Sequence, residues 1–491
     1  MAKVTALRVI AAVIGLIYSI LVVRTFGVTS EVDSYFIAIS IITILNKLLQ
    51  TGQISELFLP IYLDIKNKNG PKEAQMVFFC LIHRFILVGF LMTLILITFA
   101  PLFINVIAAG FSQGNKQLAI NIFRYSSPIL LFSIISSFSN IVLNAEKVYG
   151  RAELTSFFSG ITSIVIVYYF ANTIGIYSVL TALIIGKILE FILGIVFLKR
   201  AGFNYYLVWT SKVNNLKEIL GAYRFTSIYV GATQVFEIIL NFSASFLPEG
   251  SLSLFKYTYQ LSNKAHMILS GPFINIFFSE FKHKLLKQKI NLLTYLTNPL
   301  MGAYIIYFFS ATTIFLFGEN ILHVFWKNKN ISLEKFKIAH IMLTFNFVGS
   351  ISSVISSIFR KSVVSFGNAK YLYSHWSVVQ ILSAIYTYII IDAYGVYGLA
   401  TSAIFNMLFL SLATFKVAAS TDIPVIGLGK LIFFEKKIFY FSLAHLIIVF
   451  ILKNYIDSNI FCIVIIYAFL STSLFLVYYK YSHSMKKNNE V

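Results

Sequence analysis

Apolar runs of about the length of a membrane-spanning helix recur along this chain of 491 residues. A helix needs roughly 20 mainly apolar residues to cross the hydrocarbon core of a bilayer. The runs that meet this requirement are 4–24, 33–51, 76–103, 119–145, 153–172, 175–198, 217–241, 251–280, 291–317, 335–362, 370–392, 395–418, 434–453 and 457–479. They predict an all-α polytopic membrane protein with about 14 transmembrane helices.

The composition agrees with a protein of the bilayer. Hydrophobic residues make up 58% of the chain and charged residues only 12%, whereas soluble domains are about 25% charged. This composition therefore disfavours a soluble enzyme, a nucleic-acid-binding protein and a disordered chain. The first run is too long for the apolar segment of a signal peptide, so we expect no cleaved leader.

The charge of the chain is strongly positive, with 39 Lys and Arg against 19 Asp and Glu and a formal net charge of +20. Most of these cations fall in alternate loops, which the positive-inside rule places in the cytoplasm together with both termini. The exception is a cluster in one loop on the opposite side, made of Lys327, Lys329, Lys335 and Lys337. The remaining excess points to an anionic membrane surface or an anionic substrate.

Three short motifs occur twice, separated by 217 to 220 residues. They pair Gly150-Arg-Ala152 with Gly367-Asn-Ala369, Gly175-Ile-Tyr177 with Gly395-Val-Tyr397, and Gly52 with Gly271. This offset indicates a duplicated six-helix unit, with chance similarity between apolar helices as the alternative. We predict two pseudo-symmetric six-helix lobes, 1–200 and 201–420, and an accessory helix pair with a cytoplasmic tail at 421–491. Parallel repeats of this kind bind substrate between the lobes.

Motifs that would indicate an enzyme or a bound cofactor do not occur in the sequence. Gly427-Leu-Gly429 lacks the third glycine of a dinucleotide-binding loop, and the eight histidines show no metal-binding spacing. Cys80 and Cys462 lie far apart inside apolar runs and are interpreted as small buried hydrophobic residues. We therefore predict a protein that is not an enzyme, with no catalytic residue, metal site or cofactor.

Ionisable residues inside the predicted helices are the best candidates for a functional site, because each costs roughly 2.5–3.5 kcal/mol at the bilayer centre. Arg24 ends the first helix and Asp33 begins the second. Arg24 either extends to the membrane interface or binds an anionic headgroup. Asp33 either caps its own helix or orients Arg24 and gates the outer face. Both alternatives stay open for each residue.

A second group of polar residues predicts a basic cavity. Asn46 and Lys47 lie inside the second helix. Lys256, Gln260 and Lys264 recur at i, i+4 and i+8 of the eighth, so they share one helix face. The alternative is that the lysines extend to the membrane interface. If they face a cavity, its substrate is anionic.

Two other charged pairs stand in predicted helices. Lys187 and Glu190 are three residues apart and are interpreted as a structural ion pair on one face of the sixth helix. Arg224 and Glu237 are too far apart to pair within the seventh helix, so either is a candidate coupling group.

The stretch from Gly15 to Pro60 resembles the start of the MurJ/MviN-type lipid II flippases. The matching motifs are Val23-Arg24-Thr-Phe26-Gly27, Asp33-Ser-Tyr-Phe36 and Leu45-Asn-Lys-Leu-Leu-Gln-Thr-Gly52, followed later by Leu247-Pro248-Glu-Gly250 and Tyr257-Thr-Tyr-Gln-Leu261. Their order and spacing carry the resemblance. It implies a bacterial inner-membrane member of the multidrug/oligosaccharidyl-lipid/polysaccharide exporter superfamily, with two six-helix lobes and alternating access.

The resemblance also implies a function and roles for residues. The substrate would be an undecaprenyl-pyrophosphate-linked glycan, moved from the cytoplasmic to the periplasmic leaflet, with Arg24 on the pyrophosphate. Lys47, Lys256 and Lys264 would supply a positive field. Three positions at which the family carries arginine read Tyr18, Asn46 and Gln260, and the acidic position of the seventh helix reads Leu240.

These departures leave the substrate open between lipid II and an O-antigen or capsule-type oligosaccharide. The membrane potential or a coupling cation would drive transport, although the loss of the acidic position disfavours sodium coupling. The expected partners are the lipid-linked glycan and membrane lipid, with no nucleic acid. Two alternatives remain: a multidrug or cation antiporter of the same superfamily, which needs cavity carboxylates in both lobes, and a non-transporting scaffold for glycan synthesis.

Overall fold

The structure is a computed structural model of the chain. It describes residues 2–50, 62–146, 150–209, 216–287, 292–327, 331–365, 368–420 and 436–453. Within these ranges the regular elements are helices and no strand occurs. The predicted all-α polytopic class is therefore confirmed.

The helices follow one another with short connections. The first eight are α1 (Ala2–Phe26), α2 (Ser30–Gln50), α3 (Pro71–Thr98), α4 (Ala100–Ile107), α5 (Gln113–Ser126), α6 (Ile129–Ala145), α7 (Arg151–Ile174) and α8 (Tyr177–Arg200). The next six are α9 (Leu216–Ala244), α10 (Ser251–Lys287), α11 (Leu292–Phe325), α12 (Leu333–Ser365), α13 (Ala369–Ala419) and α14 (Lys436–Lys453).

These helices match the predicted membrane spans closely. Among the described residues, seven helices are long and apolar enough to cross a membrane, and the bent pair of α5 and α6 adds an eighth span if taken as one. The described residues of each predicted run up to 434–453 are helical, apart from short breaks at 99, 127–128, 175–176 and 395. The last predicted run, 457–479, lies outside the described residues.

Two predicted runs are each broken into two helices, which corrects the sequence interpretation. Run 76–103 stops at Phe99, and Pro101 stands in the first turn of the separate helix α4. Run 119–145 is split between α5 and α6, which meet at 41°. Pro128 lies at that break, and a proline nitrogen has no hydrogen to donate to the helical ladder.

Two glycines of the predicted repeat have the same backbone conformation. Gly175 follows α7 with φ 57° and ψ −140°, and Gly395 interrupts α13 with φ 57° and ψ −127°. Side chains with a Cβ avoid this region, so glycine is required at both positions. The break at Gly395 divides α13 into the two predicted helices 370–392 and 395–418. Gly52 and Gly367 lie outside the described residues, and the lobe boundaries at 200 and 420 stay a prediction.

The chain packs as two compact units. The first comprises Met1–Lys264, Trp326–Ser332 and Gln380–Leu399, and the second comprises Ala265–Phe325, Leu333–Val379 and Ala400–Val491. In the first unit α2 is central, because it contacts α4, α5, α6 and α9, while α7 contacts both α1 and α8. In the second unit α11 packs along α12 and contacts α14.

A non-helical strap, residues 202–209, leaves α8 and runs along α3. The side-chain amide of Gln75 donates a hydrogen bond to the carbonyl oxygen of Gly202 at 3.3 Å. About two and a half turns further along α3, Arg84 donates to the carbonyl oxygen of Trp209 at 2.9 Å. The course of the strap is therefore set by side chains of α3.

Residues 62–69 form a helical segment that is held to the end of α6 by Glu146. The Tyr62 hydroxyl donates to Oε1 of Glu146 at 2.7 Å, and the Lys66 ammonium lies 2.5 Å from Oε2. Burial raises the pKa of Tyr62 above its ordinary value, and the hydrogen bond to Glu146 and the charge of that carboxylate raise it further. One carboxylate thus binds two groups of the neighbouring segment.

Candidate functional site

Asp33 links α2 to the first turn of α10. Its Oδ2 accepts a hydrogen bond from the backbone N–H of Gly250 at 2.6 Å, and its Oδ1 accepts one from the N–H of Ser253 at 2.6 Å. The first N–H groups of a helix have no partner in their own helix and carry its positive dipole end. The buried carboxylate, 4% exposed, therefore caps a distant helix.

A group of tyrosine hydroxyls surrounds this link. The hydroxyls of Tyr18, Tyr35 and Tyr257 are close enough to interact electrostatically, and Tyr257 also lies within the field of Asp33. Within the described part of the chain, the buried hydroxyl oxygens of Tyr18 and Tyr257 have no hydrogen-bond partner. Buried hydroxyls of this kind leave unused hydrogen-bonding capacity for a ligand or water.

An ion pair joins α9 to α10. The Lys256 ammonium lies 3.4 Å from Oε2 of Glu237, and the two side chains are only 12% and 23% exposed. Lys47 on α2 also acts electrostatically on Glu237. From the sequence, Glu237 is a candidate coupling group that is too far from Arg224 to pair within its own helix. The structure gives it a partner on the next helix.

Lys264 reaches the backbone of α1. A Cβ on Gly15 would lie 2.8 Å from the Lys264 Nζ atom and 3.2 Å from its Cε. The ammonium thus occupies space that only a glycine leaves free. Gly15 lies one turn before Tyr18. The Lys264 ammonium therefore lies near Tyr18, the α1 residue that stands where the family carries an arginine.

The structure brings some of the predicted site residues together. Lys256 and Lys264 lie on one stretch of α10, and Asp33 caps the beginning of that helix. Lys47 is exposed on α2 and acts on Glu237 electrostatically. Gln260 is half-buried on α10, and Asn46 is half-buried on α2. Arg24 is exposed in the last turn of α1. The predicted Lys187–Glu190 pair is confirmed, with a distance of 2.7 Å.

Sequence reasoning missed Tyr35 and the pairing of Glu237. Periodicity assigns residues to a face of their own helix, but it does not say which helix that face meets. The tyrosines had an available sequence signal, because Tyr35 and Tyr257 lie within two residues of the candidate site residues Asp33 and Lys256. Within the described ranges, His, Cys, Asp and Glu form no group of three suited to a metal ion.

A separate cavity of about 540 Å³ lies in the second unit between α11, α12 and α14. Its wall is almost entirely apolar and includes Phe308, Phe315, Val348, Ile351 and Phe450. The charged candidates of the first unit do not line it. Such a wall suits hydrocarbon and offers nothing to bind phosphate.

Comparison with known proteins gives a consistent set of relatives. The model of the family described as "Lipid II flippase MurJ" matches residues 22–484. A lipid II flippase MurJ of Thermosipho africanus is 31% identical over 36% of this chain and 37% of the relative. A probable lipid II flippase MurJ of Buchnera aphidicola subsp. Baizongia pistaciae is 23% identical over 91% of this chain and 88% of the relative.

Solved structures support the same fold. A lipid II flippase MurJ in an inward closed conformation has a TM-score of 0.80 at 21% identity and covers 99% of both chains. An inward-facing multidrug resistance MATE transporter of the MOP superfamily has a TM-score of 0.60 at 14% identity, covering 85% of this chain and 95% of that one. Because the family model matches nearly the whole sequence, the chain belongs to the lipid II flippase MurJ family.

Proposed function

We propose that this protein is a flippase that moves an undecaprenyl-pyrophosphate-linked glycan from the cytoplasmic to the periplasmic leaflet of the bacterial inner membrane. The observation that carries the proposal is the pair of lysines on α10, Lys256 and Lys264, in a chain of this family. The exposed Lys47 of α2 adds a positive field that acts on Glu237. An ammonium in a poorly hydrated site attracts phosphate strongly. The nearby tyrosine hydroxyls are suited to sugar or phosphate oxygens.

Arg24, Asp33, Asn46 and Gln260 belong to the proposed substrate site as well. Arg24 would contact the pyrophosphate through charge-assisted hydrogen bonds. Asp33 would act as a gate, because its hydrogen bonds hold α2 against α10. A protein with this role is a transporter rather than a catalyst, with both termini in the cytoplasm and the membrane potential or a coupling cation as its driving force.

Lipid II is the first candidate substrate because the family is named for it. A lipid-linked O-antigen or capsule-type oligosaccharide is the second. The second candidate is favoured because Tyr18, Asn46 and Gln260 stand where the family carries arginines. Arginine can bind phosphate in a bidentate manner, and these three residues cannot. A cation antiporter is disfavoured, because the charges gathered at α10 are mainly positive.

The test is flipping in reconstituted vesicles that contain fluorescent lipid II or a fluorescent undecaprenyl-pyrophosphate oligosaccharide. The wild-type chain should move at least one of these lipids across the bilayer, and Arg24→Ala should abolish the movement while expression is unchanged. Lys337→Ala, an exposed cation of α12, serves as the control and should flip normally. Vesicles that move neither lipid would contradict the function, and normal flipping by Arg24→Ala would contradict the role of Arg24.

A further inference from the structure

Glu237 stands among cations rather than among acids. Its carboxylate pairs with Lys256 and lies in the field of Lys47. The hydroxyl of Tyr259 on α10 is also within its electrostatic reach. The other carboxylate at this end of α10, that of Asp33, already accepts two backbone N–H groups. Glu237 is therefore the carboxylate that balances the lysine charge here among the described residues.

The contact between Glu237 and Lys256 is loose. Charge-assisted N–H···O bonds are normally about 2.7–2.9 Å long, and the Lys187–Glu190 pair has that length, 2.7 Å. The Glu237–Lys256 distance is 3.4 Å. Burial does not account for the difference, because the combined exposure of the Glu237 and Lys256 side chains is no greater than that of Lys187 and Glu190. A partly desolvated pair at this distance retains charge attraction but forms a weak hydrogen bond.

In such a pair, another anion can replace the carboxylate at the lysine. We infer that Glu237 is an internal counter-ion, which the pyrophosphate of the substrate replaces at Lys256. This inference rests on the proposed function and deepens it. In the empty site the carboxylate neutralises a lysine that would otherwise be desolvated without a partner. When the substrate binds, its phosphate oxygens form the ion pair with the Lys256 ammonium, and the Glu237 side chain moves away from it.

The exchange has a consequence for transport. Because the substrate must displace an anion that is already bound, its net affinity is lower than the lysines alone would give. On the other side of the membrane the returning carboxylate competes with the pyrophosphate and favours release. Removing the carboxylate should therefore tighten binding and slow turnover, which is the opposite of losing a contact with substrate.

The test is binding of undecaprenyl pyrophosphate to the full-length chain in nanodiscs, with undecaprenol as the uncharged reference. Glu237→Gln should bind undecaprenyl pyrophosphate roughly three- to tenfold more tightly than the wild type. Glu237→Asp keeps the negative charge on a shorter side chain, so its gain in affinity should be smaller. In a Lys256→Met background, Glu237→Gln should bring no gain, because the ammonium for which both anions compete is absent.

Glu190→Gln is the matched control, since it breaks an ion pair with Lys187 on α8 and should leave binding unchanged. Unchanged or weaker binding by Glu237→Gln would overturn the inference while leaving the proposed function standing. A gain that persists in the Lys256→Met background would overturn it as well. A wild-type chain that does not distinguish undecaprenyl pyrophosphate from undecaprenol would overturn the proposed function itself.

Discussion

The Oδ2 atom of Asp33 accepts a hydrogen bond from the backbone N–H of Gly250, a residue 217 positions away in the sequence, at 2.6 Å. Its Oδ1 atom accepts a second bond from the first turn of the same helix. A single carboxylate therefore satisfies two donors at the beginning of α10, and α10 also carries Lys256, Gln260 and Lys264. Asp33 therefore ties α2 to the helix that carries three of the proposed substrate-site residues.

Replacing Asp33 should destabilise the protein measurably. Asp33→Ala leaves two N–H donors in a buried site and should cost about 3 kcal/mol. Asp33→Asn should cost less, because its carbonyl oxygen still accepts one bond. Thermal unfolding of the detergent-solubilised chain measures both effects. Glu31→Gln removes an exposed charge in the same turn of α2 and should leave the melting temperature unchanged. Equal melting temperatures for Asp33→Ala and the wild type would refute this assignment.

Gly15→Ala should weaken substrate binding without loss of stability. The added Cβ would lie 2.8 Å from the Lys264 Nζ atom, so the flexible end of the lysine must move away. We expect binding of undecaprenyl pyrophosphate to fall about two- to fivefold, the range of a modest electrostatic contact. Gly231→Ala in α9 is the matched control, because nothing lies within 4 Å of its added Cβ. Gly15→Ala should have no effect once Lys264 is replaced by Met, and a persisting loss would show that Lys264 is not the cause.

Tyr62 should make stability depend on alkaline pH. Its pKa in the folded chain is raised above the ordinary value of 10.0, so the folded state holds the phenolic proton more tightly than the unfolded state. The resulting stabilisation is fully present below pH 10 and is lost as the pH rises towards the folded pKa. Tyr62→Phe should lower stability by about 1 kcal/mol at neutral pH and reduce the fall above pH 10.

Melting temperatures of wild type and Tyr62→Phe between pH 8 and pH 11 measure this difference. Tyr169→Phe, which removes an exposed hydroxyl on α7, provides the comparison. Parallel pH curves for Tyr62→Phe and the wild type would disprove the linkage.

Alanine at Gly175 or Gly395 should strain the backbone to a similar extent. Both residues have φ 57°, and a side chain in this conformation costs roughly 1–3 kcal/mol. Gly114→Ala, with open space around its Cβ and no positive φ, should cost far less. Chemical denaturation of the three variants in detergent tests this expectation. A large cost at only one of the two repeat positions would argue against their structural equivalence.

Helix positions were largely predictable from the sequence, whereas contacts between helices were not. The apolar runs and the i, i+4, i+8 spacing of Lys256, Gln260 and Lys264 depend only on local order, and α10 bears them out. The bonds of Asp33 to Gly250 and of Lys256 to Glu237 depend on how whole helices rotate against each other. Periodicity identifies a polar face but leaves its partner undetermined. The breaks at Phe99 and Pro128 had a local cause, proline, that hydropathy alone does not register.

The strap from 202 to 209 has a mechanical consequence for the chain. It carries the polypeptide from α8 towards α9 and thus across the predicted junction at 200, and it is fastened to Gln75 and Arg84 of α3 along its length. A slack tether would let the segments on either side turn independently. A fastened strap resists such turning, so a force that pulls on residues 202–209 acts on α3 before it reaches α8, or must first break the strap's hydrogen bonds to Gln75 and Arg84.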